Sequence, residues 1–316
     1  MNLESLVFIG PNPLSATPYL SDAVSRKGIL LMLGAVISFG IVGAIAKWLS
    51  RDFDTVELVF FRNLVGVLFV LSSIAQRPLQ QTGGRPGLLI FRGVIGTLSL
   101  YLYFYAVQAL GLGPATTYQY TYPIFLALLS WLVVGETLNR REWLAIAAGF
   151  VGILLIFRPD LLVPLRNHAI GISNAILTAV AYLAIRQLST YYDTRTIVLS
   201  FMLSGLVMPL ISMSLGTYFP HSSLDFLLGT FRWPTELYQW LGLLALGVIA
   251  LVGQVLLTQA FTYDKAGRVA AVGYTNILFA ALLGQFIGDP FPDLLTLLGM
   301  ALIIGGGLLV SLRPRR

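Results

Sequence analysis

Hydrophobic residues fill this chain in long runs that are separated by short charged or Pro/Gly-containing turns. A bilayer core about 30 Å thick is crossed by roughly 20 apolar helical residues, and runs of this length recur from one end of the chain to the other. They predict ten membrane-spanning helices, over residues 28–49, 55–75, 86–109, 113–135, 142–158, 169–190, 196–216, 238–262, 267–288 and 294–312. The predicted fold class is therefore an all-α polytopic membrane protein.

The chain also contains an internal duplication. An apolar helix that ends in a Gly-acid pair, a polar turn, a Gly-spotted apolar helix and an Arg-Pro pair occur over residues 106–159 and again over 260–314. The offset of about 153 to 155 residues makes the chain two halves of one fold rather than an array of short repeats. The predicted segments are an N-terminal tail over 1–25, a first five-helix repeat over 26–160 and a second over 161–316.

Composition agrees with this class. The chain is 57% apolar and only 11% charged, against roughly 25% charged residues in soluble domains, and its mean hydropathy is +0.82. It has no cysteine, which excludes disulfide, zinc-cysteine and thiol chemistry. The net charge of +6 comes mostly from loop arginines, so it concerns topology and does not predict a nucleic-acid partner.

Lysine and arginine are distributed unevenly between the predicted loops. If the N-terminus is cytoplasmic, the outer side holds only Lys47, Arg51, Arg158, Arg166 and Arg232. The inner side then collects Arg26, Lys27, Arg77, Arg85, Arg140, Arg141, Arg186, Arg195, Lys265, Arg268, Arg313, Arg315 and Arg316. Since cytoplasmic loops carry an excess of Lys and Arg, both termini are predicted to be cytoplasmic, in the inner (plasma) membrane of a bacterium. Five spans per half is an odd number, so the second half is predicted to be inverted relative to the first.

Several motifs resemble a known family, the EamA-type ten-helix transporters of the drug/metabolite transporter superfamily. The resemblance covers nearly the whole chain and rests on a set of motifs, namely Gly135-Glu136 and Gly288-Asp289, the run from Glu57 to Asn63, Phe91-Arg92-Gly93, Tyr105-Ala106, Ala115 and Tyr122-Pro123. It implies two antiparallel five-helix repeats around a central cavity, and transport of metabolites. The second half departs from the pattern, with Asp289 where Glu is usual and Asn276-Ile277 opposite Tyr122-Pro123.

Two arginines lie deep within predicted spans. Arg62 lies near the middle of the second span and Arg92 about two turns inside the third. A charge at such depth usually faces protein or water and marks a transport pathway. The structural alternative is that each arginine binds helix carbonyls or a neighbour such as Asn63, and that Arg92 reaches back to the cytoplasmic interface.

Polar and aromatic residues recur at helical spacing on four spans and predict one substrate pocket. With Arg62, the predicted substrate-binding residues are Tyr101, Tyr105, Gln108, Tyr118, Tyr122, Asn174, Tyr182, Gln254 and Thr258. Rings with a few placed amides suit a planar or cationic organic ligand. For each residue alone, the alternative is packing or hydrogen bonding between helices.

The residues that are missing restrict the function further. No acidic residue is predicted at a midplane, which favours uncoupled transport or exchange; the alternative is a proton-coupled exporter of amino acids or drugs. His168 and His221 are both expected outside the core, so no metal site, cofactor or catalytic residue is predicted. An intramembrane enzyme would need a nucleophile with its base at membrane depth, and the sequence predicts no such pair. A non-transporting membrane subunit remains as a third interpretation.

The expected partners are a small-molecule metabolite and the lipid bilayer. Small residues recur at Ala145, Gly149 and Gly152, and again at Gly299 and Gly305 to Gly307. Such stripes allow helices to approach closely. The sequence leaves open whether these faces pack within one chain or between two copies in a homodimer.

Overall fold

A computed structural model describes residues 22–134, 140–157, 164–218, 226–263, 269 and 272–311 of the protein. Helices make up the regular structure of these residues. They are α1 Asp22–Leu49, α2 Thr55–Gln76, α3 Pro86–Leu110, α4 Leu112–Gln119, α5 Tyr122–Val134, α6 Arg140–Phe157, α7 Leu165–Leu188, α8 Thr194–Tyr218, α9 Leu237–Tyr263, α10 Thr275–Phe286 and α11 Leu294–Ser311.

Within the described residues, six stretches are long and apolar enough to cross a bilayer. They are Lys27–Leu49, Thr55–Gln76, Pro86–Leu110, Leu165–Ile185, Thr194–Tyr218 and Leu237–Tyr263. Shorter apolar stretches occupy Ile146–Leu155, Thr275–Phe286 and Leu294–Gly306. The all-helical, polytopic class predicted from the sequence is thus confirmed. The helix α1 begins at Asp22, earlier than predicted, while residues 1–21 of the predicted tail and both Arg-Pro pairs lie outside the described residues.

The fourth predicted span, over 113–135, is divided into two helices. The helix α4 ends at Gln119 and α5 begins at Tyr122. The backbone N–H of Thr121 turns back to the Tyr118 carbonyl at 3.0 Å, closing a tight turn. Pro123 follows in the first turn of α5, where its missing N–H leaves no intrahelical bond unmade. The break brings backbone and side chains at 119–121 into the interior of the bundle.

Helices of the first half pack mainly against helices of the second. The helix α1 lies along α9 and α3 along α7; α2 contacts α8, α4 contacts α10, and α6 contacts α11. In the duplication, α1, α2 and α3 correspond to α7, α8 and α9, while α4 and α6 correspond to α10 and α11. Exchange of the two halves therefore turns the α1–α9 contact into the α7–α3 contact and leaves the other three pairs unchanged. The core is therefore built at the boundary between the halves.

Glycines at the α2–α8 contact are arranged reciprocally. A Cβ at Gly205 would overlap the amide group of Asn63, and a Cβ at Gly66 would lie 2.5 Å from the sulfur of Met202. The same number of residues separates Gly66 from Gly205 and Asn63 from Met202 along the chain. Each half thus contributes a glycine that leaves space for a side chain of the other half, and the two side chains occupy corresponding positions in α2 and α8.

The small residues of α6 and α11 pack within this chain. A Cβ at Gly152 would lie 2.7 Å from the Gly299 carbonyl oxygen and 2.8 Å from a side-chain carbon of Ile303. Backbone contact at this distance requires glycine in α6. The contact of Gly152 with Gly299 therefore joins the two halves of one chain, and the homodimer stays a prediction.

Both ends of the bundle are held by polar contacts. At the end where α1 terminates, Lys47 lies 3.5 Å from Asp289, whose other carboxylate oxygen accepts the backbone N–H of Leu112 at 2.6 Å. We call this contact the Lys47 latch. At the opposite end, Arg195 donates to Asp193 and to the Arg77 and Pro78 carbonyl oxygens, and its guanidinium lowers the pKa of Asp193 below the ordinary value.

Candidate substrate site

A cavity of about 70 Å³ lies between the two halves. Side chains from both halves line it, including Arg62, Arg92, Gln119, Tyr182, Phe201 and Gln254. They belong to α2, α3, α4, α7, α8 and α9, so every wall depends on contacts between helices that are distant in sequence. Both arginines are only 2% exposed. The described conformation therefore holds both guanidinium groups away from bulk water.

Arg62 is positioned by the residue that follows it. One terminal nitrogen of the guanidinium donates to Asn63 Oδ1 at 3.0 Å, and Asn63 Nδ2 donates to the Val59 carbonyl at 2.7 Å. The guanidinium carbon lies 5.3 Å from the centre of the Phe201 ring. The Nε atom of Arg62 is buried without a hydrogen-bond partner. Arg62 is thus fixed on one side and leaves a donor unused.

Arg92 faces the same cavity. Its guanidinium carbon lies 4.4 Å from the centre of the Phe201 ring, and its Nε and Nη1 atoms are buried without hydrogen-bond partners. The alternative in which Arg92 reaches back to the cytoplasmic interface was wrong, because the Arg92 side chain turns inward between α2 and α8. Phe201 therefore contacts both guanidinium groups through an aromatic ring.

Carboxylates are absent from the described lining of this cavity. Asp289 pairs with Lys47, and Asp193 pairs with Arg195. Glu57, in the first turn of α2, accepts the backbone N–H groups of Asp54 and Arg232 instead of reaching the arginines. The cavity walls that the structure describes thus carry positive charge without an acidic counterpart.

Tyrosines adjoin the cavity on the side of the α4–α5 break. Tyr182 and Tyr122 meet edge to face with ring centres 4.8 Å apart, and Tyr120 lies 5.9 Å from Tyr122. Asn276 Nδ2 donates to the Tyr120 hydroxyl at 3.2 Å, while the Tyr122 and Tyr274 hydroxyls are buried without partners. This cluster extends the polar surface of the cavity towards α10.

The structure brings three of the predicted site residues, Arg62, Tyr182 and Gln254, to the cavity wall. Tyr122 packs directly behind Tyr182, Asn174 Nδ2 donates to the Ser99 carbonyl, and the Thr258 hydroxyl donates to the Gln254 carbonyl. The other predicted residues are not part of the cavity lining: Tyr101 pairs with Ser212, Tyr105 with Asn167, and Tyr118 with His168, while Gln108 Nε2 is buried without a partner. A substrate role for these residues stays a prediction.

His168 lies inside the protein, which corrects its expected position outside the core. It is 6% exposed, and its Nδ1 atom lies 2.9 Å from the Tyr118 hydroxyl. His221 lies outside the described residues. The described residues contain no group of three or more His, Cys, Asp and Glu side chains with metal-binding geometry.

Sequence reasoning missed Gln119, Tyr120, Tyr103 and Phe201 of the cavity wall. Gln119 and Tyr120 face inward because the helix breaks there. Phe201 carries a signal that was present in the sequence, because the spacing from Arg62 to Phe201 equals the spacing from Gly66 to Gly205. Alignment of α2 with α8 would have placed Phe201 opposite Arg62.

A bundle of membrane helices around a cavity lined by buried arginines agrees with the class of polytopic membrane transporters. The EamA-like transporter family matches residues 26–158 and 167–312, and the chain belongs to this family. A transporter of Helicobacter pylori with no described substrate is 32% identical over 296 residues, covering 90% of this chain and 94% of that protein.

The pseudopaline exporter CntI of Pseudomonas aeruginosa is also 32% identical, over 280 residues that cover 88% of this chain and 94% of the exporter. A solved crystal structure with a TM-score of 0.59 and 20% identity covers 90% of this chain and 97% of its own, which shows a common fold. The family and these relatives are transporters and not enzymes.

Proposed function

We propose that this protein carries a small organic metabolite across the inner membrane by alternating access, with its site at the cavity between two inverted five-helix halves. The observation that carries this function is the cavity itself, which holds two buried arginines and is walled by α2 and α3 of one half and α7, α8 and α9 of the other. In carriers built from inverted repeats, the site lies near the midplane where the repeats meet, and rocking of one repeat against the other opens each side in turn.

The reciprocal contact of α2 and α8 supports the inverted repeat. Gly66 leaves room for Met202, and Gly205 leaves room for Asn63. The two glycines are separated along the chain by the same number of residues as Asn63 and Met202, which is expected when a two-fold axis in the membrane plane passes between these helices. The family match in two separate segments, one for each half, agrees with this duplication. The N-terminus is assigned to the cytoplasm from the distribution of Lys and Arg.

The polar contacts at the two ends are suited to serve as the gates of such a carrier. The Lys47 latch joins α1, the start of α4 and the α10–α11 turn, and under this orientation it closes the external side. Arg195 closes the cytoplasmic side by joining the start of α8 to the end of α2. Opening one end while the other stays closed requires that only one set of these contacts breaks at a time.

Transport without proton coupling, by facilitated diffusion or exchange, is supported by the lining. A buried carboxylate that gains and loses a proton is the usual coupling group, and the described wall residues include none. The metabolite is proposed to be a small organic compound, for which the pseudopaline exporter provides one precedent.

Cysteine labelling provides a test that does not require the substrate to be known. The native chain has no cysteine, so a Ser99→Cys variant carries a single thiol, in the cavity wall. In proteoliposomes of uniform orientation, a membrane-impermeant maleimide is applied from one face and then, in a second sample, from the other. Alternating access requires labelling from both faces. Thr97→Cys is the matched control, because Thr97 is buried on the same helix and does not line the cavity.

Labelling of Ser99→Cys from one face alone, or from neither, would contradict a carrier and favour a non-transporting subunit. A proton-coupled exporter would label from both faces as well, and it would be recognised because an imposed pH gradient drives its counterflow. Uptake assays over amino acids, nucleosides, vitamins and S-adenosylmethionine then identify the substrate.

A further inference from the structure

Two guanidinium groups share one small cavity in which no acidic side chain is described. Removing a charged group from water costs several kcal/mol unless a partner of opposite charge and hydrogen bonds compensate for it, and two like charges in one cavity add repulsion. Arg62 and Arg92 are each 2% exposed. The ligand-free cavity therefore holds two positive charges that are incompletely compensated.

The contacts that these arginines do make leave hydrogen-bond donors unused. The Phe201 ring contacts both guanidinium groups, at 5.3 and 4.4 Å, and an aromatic face attracts a cation but accepts no conventional N–H bond of comparable strength. Arg62 Nε and Arg92 Nε and Nη1 remain buried without partners. Planar, bidentate N–H groups match the oxygens of a carboxylate or phosphate.

A purely structural role would account for Arg62 better than for Arg92. Arg62 is bonded to Asn63, which is itself bonded to the backbone of α2. The Arg92 guanidinium instead lies over the Phe201 ring. Holding α3 against α8 does not need a charge there, because Gly93 already allows close packing against Ser200 and Ser204.

We propose that the cavity binds the oxyanion of the transported metabolite, a carboxylate or a phosphate, between Arg62 and Arg92. The substrate is then an organic anion, or a zwitterion with a free acidic group, which rests on the carrier function proposed above. The Phe201 ring contacts both guanidinium groups, and the oxyanion supplies the missing negative charge when it binds. Gln119 and Gln254, which also line the cavity, supply neutral polar contacts to the rest of the ligand.

Thermal unfolding of the purified protein in a neutral detergent tests this assignment with simple anions as probes. Sodium phosphate and sodium acetate are titrated at constant ionic strength, with sodium chloride making up the balance. A ligand that binds only the folded state raises the unfolding temperature progressively with its concentration. We expect phosphate or acetate to stabilise the wild type, and Arg92→Gln to lose this stabilisation. Arg51→Gln is the matched control, because Arg51 is exposed outside the spans, and it should retain the full effect.

The ligand-free variants separate a binding role from a structural one. If Arg92 is held for a ligand, Arg92→Gln unfolds at the same temperature as the wild type or higher, because an uncompensated charge has been removed. Arg92→Lys keeps the charge and loses the planar fork, so it should show weaker stabilisation by the anions. The absence of any anion effect on the wild type, an undiminished effect in Arg92→Gln, or a marked loss of ligand-free stability in Arg92→Gln would each overturn the assignment.

An anionic lipid headgroup presents the same chemistry as a soluble oxyanion, so the source is tested separately. The titration is repeated in nanodiscs of phosphatidylcholine alone and in nanodiscs that also contain phosphatidylglycerol. Stabilisation by phosphate or acetate in phosphatidylcholine supports a soluble ligand, whereas stabilisation by phosphatidylglycerol alone contradicts it. If Ser99→Cys labels from both faces and no anion effect appears, the carrier function stands and only the anion assignment fails. If Ser99→Cys labels from one face or from neither and the anions still stabilise the protein, only the carrier function is rejected.

Discussion

Substitution of Gly205 by alanine tests the contact that positions the candidate site. A Cβ at Gly205 would overlap the Asn63 amide and lie 2.5 Å from its Cγ atom. Asn63 cannot move away cheaply, because it is 0% exposed and is bonded both to Arg62 and to the Val59 carbonyl. Overpacking of a close-packed core typically costs about 1–3 kcal/mol, and we expect Gly205→Ala to lose this much stability together with transport, since displacement of Asn63 releases Arg62.

The reciprocal glycine provides a graded comparison. At Gly66, the added Cβ would meet the sulfur of Met202 at 2.5 Å, and a flexible thioether can move aside, so Gly66→Ala should cost clearly less. Gly305→Ala is the control, because no atom lies within 4 Å of its Cβ position; there the loss of glycine's backbone entropy should be neutral or stabilising by up to about 1 kcal/mol.

Unfolding temperatures of the three alanine variants, measured in the same detergent, should be lowest for Gly205→Ala, intermediate for Gly66→Ala and highest for Gly305→Ala. The double variant Asn63→Ala with Gly205→Ala should lose less stability than the sum of the two single changes, because the first removes the group that the second displaces. If Gly205→Ala unfolds like Gly305→Ala, the α2–α8 contact described for this conformation is wrong, and the argument that Asn63 positions Arg62 fails with it.

Three further outcomes are expected. Asp289→Asn weakens the Lys47 latch and should speed labelling of Ser99→Cys from the external face without speeding it from the cytoplasmic face; equal acceleration from both would contradict a one-sided gate. Reporter fusions at Arg85 should be cytoplasmic and fusions at Arg232 external, and the reverse pattern would reject the proposed orientation. Tyr182→Ala should weaken substrate binding by roughly 1–3 kcal/mol, the range of a lost aromatic anchor, whereas the matched Tyr182→Phe should cost little; wild-type uptake affinity in Tyr182→Ala would return this ring to a packing role.

The sequence was informative wherever a property depends on single residues or on short repeats along the chain. Long apolar runs require helices because backbone groups in a bilayer must bond within their own segment, so the helical class and most helix positions could be predicted from hydropathy. The duplication was visible because its landmarks lie at a nearly constant offset. The depth of Arg62 within its span identified it as a candidate before any neighbour was known.

Contacts between distant segments could not be predicted in the same way. Helical spacing gives the face on which Tyr101 or Tyr118 lies, but the direction in which that face points depends on the rotation of each helix against its neighbours, and helix packing sets that rotation. For this reason Tyr101 and Tyr118 met other partners, Ser212 and His168, while Tyr182 came to the cavity wall.

The inward position of Arg92 was decided by tertiary structure. Its sequence position allowed the side chain to reach the interface or to turn into the protein, and both satisfy the local chemistry of a long cationic side chain. Close approach of α3 to α8 at Gly93 and Gly96, against Ser200 and Phe201, directed the guanidinium onto the Phe201 ring. The sequence by itself determined which charged residues lie within the membrane spans, and the packing of one half against the other decided which of them share a cavity, because only that packing fixes distances between atoms of different helices.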